Sequence, residues 1–169
     1  MNTSTKFIFL SLALAITPAA YAALATNTFQ VQITIQSACS VAQPSPLIFP
    51  SSLASATNVQ GTTTLNVTCS KTTPYNIGLA PSSGNGGTTT GSGAMAGTTG
   101  NTDKVPYQLN QDAAGTKPWG NTATASVVGN GVAGVGNGLP QSVTVHAVVA
   151  SANFTPDNYS DTVTINVNY

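Results

Sequence analysis

Residues 28–36 read TFQVQITIQ, and polar and apolar side chains alternate along the whole stretch. Successive side chains of a β-strand point to opposite faces, so a period of two collects the apolar residues on one face. The stretch therefore predicts a strand with one polar and one apolar face. The apolar face would carry Phe29, Val31, Ile33 and Ile35.

The same alternation recurs downstream, and no segment shows the 3.6-residue period of an amphipathic helix. Five further strands are predicted around the apolar positions Leu65, Val67 and Cys69; Tyr75, Ile77 and Leu79; Val105, Tyr107 and Leu109; Val143, Val145, Ala147 and Val149; and Val163, Ile165, Val167 and Tyr169. Residues 82–101 and 129–138 are rich in glycine, asparagine and threonine, and both are predicted to be exposed loops. Many short alternating strands favour an all-β, antiparallel sandwich, and we expect an immunoglobulin-like Greek key.

Residues 1–22 have the features of an export signal. Lys6 supplies the positive charge, residues 7–16 form an apolar run, and Ala20-Tyr21-Ala22 offers small residues for cleavage. The run is about half the ~20 residues that a membrane-spanning helix needs, which favours a signal peptide over an anchor. Cleavage after Ala22 leaves 147 of the 169 residues, enough for one domain.

Charged residues make up only 5% of the chain, and neither arginine nor glutamate occurs. Without Lys6, three lysines (71, 104 and 117) face four aspartates (103, 112, 157 and 161). So few cations cannot neutralise a nucleic-acid backbone, which excludes that class of partner. A net charge near zero also lets like molecules approach each other, as a self-assembling protein requires.

The two cysteines, Cys39 and Cys69, both lie in the exported part, where an oxidising compartment would join them. A disulfide between them would close a loop of about thirty residues, which stabilises a domain by roughly 3 to 4 kcal/mol in the chain-entropy model. A zinc site is the weaker alternative, because the chain has no CxxC motif and no second set of ligands.

No set of residues indicates catalysis. Residues 129–134, GNGVAG, match a dinucleotide-binding spacing, but glycines and Pro140 follow where a helix must begin. His146 lies on the polar side of a predicted strand without a nucleophile turn nearby, and the scattered aspartates favour neither glycoside cleavage nor a metal site. Trp119 is expected to pack in the core, with an exposed sugar-stacking ring as the alternative. The sequence thus predicts no enzyme and no cofactor.

The order of the elements bears on function. The last predicted strand, residues 159–169, runs to the end of the sequence, so we expect its outer edge to be uncovered. The first, residues 28–36, precedes Cys39 and lies outside the loop that a disulfide would close.

Several segments resemble the spore coat protein U-like domains, a family that includes the pilins of archaic chaperone-usher fibres. The resemblance covers essentially the whole mature chain, and it is carried by Ser37-Ala38-Cys39-Ser40-Val41, Leu65-Asn66-Val67-Thr68-Cys69, Pro74-Tyr75-Asn76-Ile77, Tyr107-Gln108-Leu109, Trp119-Gly120 and the ending Pro156-Asp157-Asn158-Tyr159-Ser160-Asp161-Thr162-Val163-Thr164-Ile165. The chain departs from the family at Gly115 and at Gly93-Ala94, where a basic residue is common. These departures concern surface contacts between subunits more than the fold.

The resemblance implies an incomplete sandwich that lacks its final strand and is completed by the N-terminal extension of a neighbouring subunit. Residues 23–36 would be the donor-strand extension and residues 37–169 the pilin domain. Phe29, Val31, Ile33 and Ile35 would be the donor side chains, and Val163, Ile165 and Val167 would form the acceptor edge. The implied partners are identical or related pilins, a periplasmic chaperone and an outer-membrane usher, and the mature chain would not insert into a membrane. It would reach a cell-surface fimbrium and support adhesion or biofilm formation.

Two other functions stay open at this point. The first strand could fold back on its own domain, giving a secreted spore-coat or matrix protein that never polymerises. Alternatively, the chain could be a monomeric carbohydrate-binding module that uses Trp119.

Overall fold

The computed structural model describes residues 22–169, so the predicted export signal lies outside the described residues except for Ala22. The chain divides into two units, one ending at Thr34 and one running from Ile35 to Tyr169. In the first unit, residues 22–34 contain neither helix nor strand. All the strands described below belong to the second unit.

The second unit is built from nine strands and one short 3₁₀ turn, Ser83–Asn85. The strands are β1 (Cys39–Ala42), β2 (Thr57–Cys69), β3 (Pro74–Pro81), β4 (Ser92–Gly97), β5 (Lys104–Asn110), β6 (Val132–Val135), β7 (Gln141–Ser151), β8 (Tyr159–Ser160) and β9 (Val163–Asn168). Over residues 22–169, no helix has the length and apolar character needed to cross a bilayer.

The strands form two antiparallel sheets. The larger sheet has the order β1-β2-β7-β5-β4-β8, and the smaller has the order β6-β3-β9. The long pairs β2–β7 and β3–β9 join strands that are distant in the sequence, as Greek-key connections do. The predicted all-β, antiparallel sandwich is therefore confirmed.

One hydrophobic core lies between the sheets, and the period-two residues of the sequence supply most of it. Its buried members are Leu65, Val67 and Cys69 of β2, Tyr75, Ile77 and Leu79 of β3, Val105, Tyr107 and Leu109 of β5, Val145, Ala147 and Val149 of β7, and Trp119. Burying a large apolar side chain of this kind stabilises the fold by ~1.5 to 3 kcal/mol.

The prediction that residues 82–101 and 129–138 are loops is wrong in part, because they contain β4 and β6. Both strands carry glycine where a tyrosine ring lies against the backbone. A Cβ on Gly93 would be 2.5 Å from the Tyr107 hydroxyl, and one on Gly134 would be 2.3 Å from the Tyr75 ring. Glycine thus permits the close approach that makes these segments part of the sheets.

The predicted last strand, residues 159–169, is also wrong in part, because it divides into β8 and β9, which belong to different sheets. Asp161 lies at the division and accepts hydrogen bonds from the Tyr107 hydroxyl at 2.7 Å and from Asn85 Nδ2 at 2.8 Å. These bonds hold the chain where it crosses from one sheet to the other. Burial, together with the bond to Asp161 and its charge, raises the pKa of the Tyr107 phenol.

The structure joins Cys39 and Cys69 in a disulfide, as the sequence predicts. The two residues are register partners in the β1–β2 ladder. The disulfide therefore fastens the start of a four-residue edge strand to the end of the longest strand.

Candidate functional site

The first and last strands both lie at sheet edges, as do β6 and β8. Among residues 22–169, β1 pairs only with β2 and β9 pairs only with β3, so each is an edge strand of its sheet. The two strands approach to within 8 Å between Cα atoms but share no ladder. We call this corner, formed by Cys39–Ala42 and Val163–Asn168, the β1–β9 seam.

On β9, the seam side chains are less buried than their neighbours on the inner strand. Val163, Ile165 and Val167 pack against the core but are only partly buried. The register partners of the last two are Leu79 and Ile77, which are no more than 2% exposed. An edge strand of this kind combines free backbone hydrogen-bonding groups with incompletely covered apolar surface, so it can accept a further strand.

The β1 side of the seam repeats this contrast. Val41 is partly buried, whereas its register partner Val67 is fully buried. Past the end of β1, Leu47 and Phe49 also pack against the core while remaining partly exposed. The apolar surface of the seam therefore continues beyond the strand itself.

At one end of the sandwich, this surface leads into a cavity of about 560 Å³. Its apolar lining includes Leu47, Phe49, Val59, Met95, Val149 and Phe154. We call this the cavity end. The opposite end carries Cys39 and Cys69, and we call it the disulfide end.

The segment that lines the cavity rests on a glycine of β2. A Cβ on Gly61 would be 2.7 Å from Leu47 Cδ2 and 3.2 Å from the Phe49 ring, so any side chain there would push the segment outward. The Thr63 hydroxyl also donates to the Ser45 carbonyl at 2.7 Å. These contacts hold residues 45–49 along the sheet.

The polar face of β9 is held by amide side chains. Asn166 Nδ2 donates to Asn121 Oδ1 at 2.9 Å, and Asn168 Nδ2 donates to the Ala123 carbonyl at 3.3 Å. Because β9 is fixed on this face and by its ladder with β3, its other edge is presented in a defined position.

The predicted donor residues are among the most exposed apolar side chains described. Phe29, Val31, Ile33 and Ile35 are 82–88% exposed, and no strand is assigned to residues 22–38. A run of four large apolar side chains so exposed is unfavourable in water, and such surfaces commonly mark interaction sites. Their role as donors stays a prediction.

Two aspartates lie at the cavity end. Asp103 accepts hydrogen bonds from Thr155 N at 3.0 Å and from the Thr155 hydroxyl at 2.6 Å, and these bonds lower the pKa of its carboxyl. Partial burial raises the pKa of Asp157, but hydrogen bonds from Thr99, Asn158 and Asn101 outweigh it and leave the value below normal. Both carboxylates are therefore held in their charged form.

The residues considered for other functions do not form a site. Trp119 is fully buried and donates from Nε1 to the Ile77 carbonyl at 2.9 Å, so it cannot stack on a sugar. His146 is partly exposed on the outer side of β7, as expected. Within the described part of the chain, no cluster of three or more histidine, cysteine, aspartate or glutamate side chains could hold a metal ion.

The model of the Spore Coat Protein U domain family matches residues 25–166 of the chain. The chain belongs to this family. The match begins within the predicted N-terminal extension and ends within β9, so it includes all four predicted donor residues, and Val163 and Ile165 but not Val167 of the predicted acceptor edge. No curated protein matches the chain.

A solved structure gives an independent comparison for this family member. The chain is similar to a chain in the crystal structure of the CsuC–CsuE chaperone–tip adhesion subunit pre-assembly complex, from the archaic chaperone-usher Csu pili of Acinetobacter baumannii. The TM-score is 0.56 at 16% sequence identity, and the match covers 80% of this chain and 41% of that chain. The present chain thus spans less than half the length of the solved one, and the likeness shows the fold alone.

Sequence reasoning missed the β1 side of the seam. Val41, Leu47 and Phe49 occupy odd positions, in phase with Cys39, and this continued alternation was the available signal. Pro44 and Pro46 interrupt the pattern and hide it.

Proposed function

We propose that this spore coat U-domain protein is a structural subunit of a surface pilus assembled by the chaperone-usher route. Residues 23–36 of one subunit would enter the β1–β9 seam of the next and complete its sandwich. One observation carries the proposal: an apolar seam with two free strand edges occurs in the same chain as an exposed segment of alternating apolar residues.

The two surfaces match chemically. The alternation of residues 28–36 would turn four apolar side chains toward the core while polar ones face outward. Backbone groups of the inserted strand would pair with the free edge of β9. Four buried side chains at ~1.5 to 3 kcal/mol each give a gross stabilisation of ~6 to 12 kcal/mol, before ordering costs.

This mode of assembly requires partners that protect the seam. An uncovered edge with apolar flanks aggregates, so a periplasmic chaperone would cover it until the next subunit arrives. An outer-membrane usher would then deliver the fibre to the cell surface. The similar solved structure is a complex of a chaperone with a tip adhesion subunit of archaic pili, which supports the same type of partner for this chain.

The activity would be mechanical, and adhesion or biofilm formation would follow from the fibre. The export signal proposed for residues 1–22 accounts for the route to the periplasm. The burial of Trp119 removes the residue on which the carbohydrate-binding alternative depended.

A pair of charge substitutions tests strand donation. Ile33→Asp places a carboxylate on the apolar face of the donor segment, and Gln32→Asp places the same charge on its polar face. We expect electron microscopy and size-exclusion chromatography of the mature chain, produced with a candidate chaperone, to show fibres for the wild type and Gln32→Asp and none for Ile33→Asp. Equal assembly of both variants would contradict the proposal.

Deleting residues 23–36 distinguishes donation of this strand to another subunit from pairing of the strand with its own domain. A deletion variant that stays folded in complex with the chaperone but forms no fibres supports donation to another subunit. If the wild type is monomeric at all concentrations and the deletion unfolds it, the strand closes its own domain. The coat or matrix alternative would then be correct.

A further inference from the structure

The donor segment is joined to its own domain by a very short connection. Ala38 N donates to Ser70 Oγ at 3.0 Å, and Ser70 N donates to the Ala38 carbonyl at 2.9 Å, so Ala38 is already held against the domain. Only Gln36 and Ser37 separate it from Ile35. Three fully extended residues span about 11 Å, so a donor segment seated in another copy brings its own domain against that copy.

The direction of insertion decides which end of the acceptor is contacted. β9 starts opposite Pro81 and ends opposite Asn76, on the same side as the β2–β3 turn and Cys69, so it runs from the cavity end to the disulfide end. Every ladder in the domain is antiparallel, the more stable arrangement. A strand inserted antiparallel to β9, the longer of the two seam strands, runs parallel to β1 and leaves the seam at the cavity end.

The cavity end has exposed apolar side chains where the inserted strand would leave. Ile48 borders the cavity, and Leu53 follows in the same segment; both are largely exposed. Asp103 and Asp157 lie at this end, where neutral amide and hydroxyl groups hold their carboxylates. Lys104 is next to Asp103 but its Nζ donates to the Gly84 carbonyl at 3.1 Å, so the two aspartates leave this end with a net negative charge.

The disulfide end, from which the donor segment departs, is complementary. Val135 and Leu139 are exposed there, and the loop between them packs against the β2–β3 turn through Gly136 N to the Thr73 carbonyl, 2.8 Å, and Gly138 N to the Cys69 carbonyl, 3.0 Å. A Cβ on Gly138 would be 3.5 Å from Lys71 Cγ, so the lysine lies in the same patch.

We propose that consecutive subunits make a second, head-to-tail interface outside the seam. The patch of Lys71, Val135 and Leu139 on one copy packs on the patch of Ile48 and Leu53 on the next, with the lysine facing Asp103 and Asp157. This interface rests on the proposed function, because the seated donor strand brings the two patches together. Such a heterologous contact extends into an open fibre when its rotation does not close into a ring.

Cross-linking tests which ends meet. The two native cysteines form a disulfide, so thiols introduced by Leu53→Cys and Leu139→Cys are the reactive ones in the described residues. In fibres of the double variant, a short bismaleimide should produce a ladder of covalent multimers on denaturing gels. Neither single variant should give such a ladder, nor should Leu139→Cys combined with Thr64→Cys, which lies on the exposed face of β2 midway between the two ends.

A longer connection between the donor segment and its domain tests whether the second interface stiffens the fibre. Inserting four Gly/Ser residues between Ser37 and Ala38 leaves the donor segment intact but lets the domains separate. Fibres of this variant should still assemble, lose the cross-linked ladder and show a shorter persistence length in electron micrographs. Fibres that assemble without any Leu53–Leu139 ladder, or that keep their stiffness after the insertion, would overturn the interface alone. A wild-type chain that forms no fibres overturns the proposed function and this interface with it.

Discussion

Ile165 of β9 lies directly across the ladder from Leu79 of β3, yet Leu79 is 2% exposed while Ile165 is only partly buried. The same contrast separates Val41 of β1 from Val67 of β2. In both sheets the apolar row is fully covered on the inner strand and incompletely covered on the edge strand. The partly buried rows meet at the β1–β9 seam, and the proposed function has the donor strand of another subunit cover them there.

Alanine substitutions on the two sides of this ladder should have different effects. Leu79→Ala removes a fully buried side chain, so we expect it to lower the free energy of unfolding by ~2 to 5 kcal/mol. Ile165→Ala removes a side chain that is partly exposed before assembly, so its effect on the isolated domain should be the smaller of the two. Urea unfolding of the domain without residues 23–36, which cannot donate a strand, measures both at a concentration low enough to prevent aggregation.

The effect of Ile165→Ala should be larger in the fibre than in the isolated domain, because the proposed donor strand would bury Ile165 when it fills the seam. Resistance of fibres to dissociation in sodium dodecyl sulfate, measured across a temperature series, reports the stability of the filled seam. Ile165→Ala should lower the dissociation temperature of fibres. If it destabilises the monomer as much as Leu79→Ala and leaves fibre dissociation unchanged, the seam is ordinary core.

Gly61→Val should disturb the seam without touching β9. The new side chain would collide with Leu47 Cδ2 and the Phe49 ring and displace the segment that continues the seam beyond β1. Overpacking of this type typically lowers the free energy of unfolding by ~1 to 3 kcal/mol. We expect the fibre yield to fall by more than this loss of stability alone would cause. Gly84→Ala is the control, because a Cβ there meets only an ordinary 3.6 Å contact with Ser82 Oγ. Equal fibre yields for the two variants would contradict a role for residues 47–49.

The sequence predicted the strands whose side chains alternate in size and polarity. β2, β3, β5, β7 and β9 each carry three or more apolar residues at a period of two, and these residues form the core. This pattern, together with the cysteine pair, was sufficient for the fold class and for the presence of a strand at β9.

The strands not predicted from the sequence, β4 and β6, are those that depend on packing against residues distant in the chain. β4 reads SGAMAG and β6 reads VAGV, and glycine and alanine, which have little intrinsic preference for a strand, make up most of the first and half of the second. Gly93 and Gly134 occur there because the rings of Tyr107 and Tyr75 lie against the backbone, a contact that only the folded chain reveals. The β1 side of the seam was missed for a similar reason, since its apolar residues are separated by prolines and unite only when they pack on β2.

Removing the disulfide should destabilise the domain at the seam. Cys39→Ala combined with Cys69→Ala opens a loop with a sequence separation of 30 residues, which corresponds to ~3.5 kcal/mol in the chain-entropy model. Because β1 has only four residues, its edge should loosen first, and fibre assembly should decline together with stability. Urea unfolding with and without dithiothreitol measures the effect. The reductant should not change the free energy of unfolding of the double variant. If it also leaves that of the wild type unchanged, the prediction is contradicted.

Acid should weaken the folded domain through its aspartates. The carboxyl pKa values of Asp103, Asp112 and Asp157 all lie below the ordinary value of 3.8 in the folded state. Above about pH 5 both folded and unfolded states are deprotonated, and this contribution to stability is fully present. As the pH falls through 3.8, the unfolded chain binds protons first, so the free energy of unfolding decreases until the folded carboxyls are also protonated.

Thr155 provides a matched pair of variants for this acid dependence. Thr155→Val removes the hydroxyl that donates to Asp103 Oδ2 at 2.6 Å, whereas Thr155→Ser retains it. Because this hydroxyl bond is the largest cause of the lowered Asp103 pKa, the valine variant should lose less stability than the wild type between about pH 5 and pH 2. The serine variant should follow the wild type. Urea unfolding at a series of pH values measures the difference, and parallel curves for all three proteins would show that Asp103 does not contribute to the acid response.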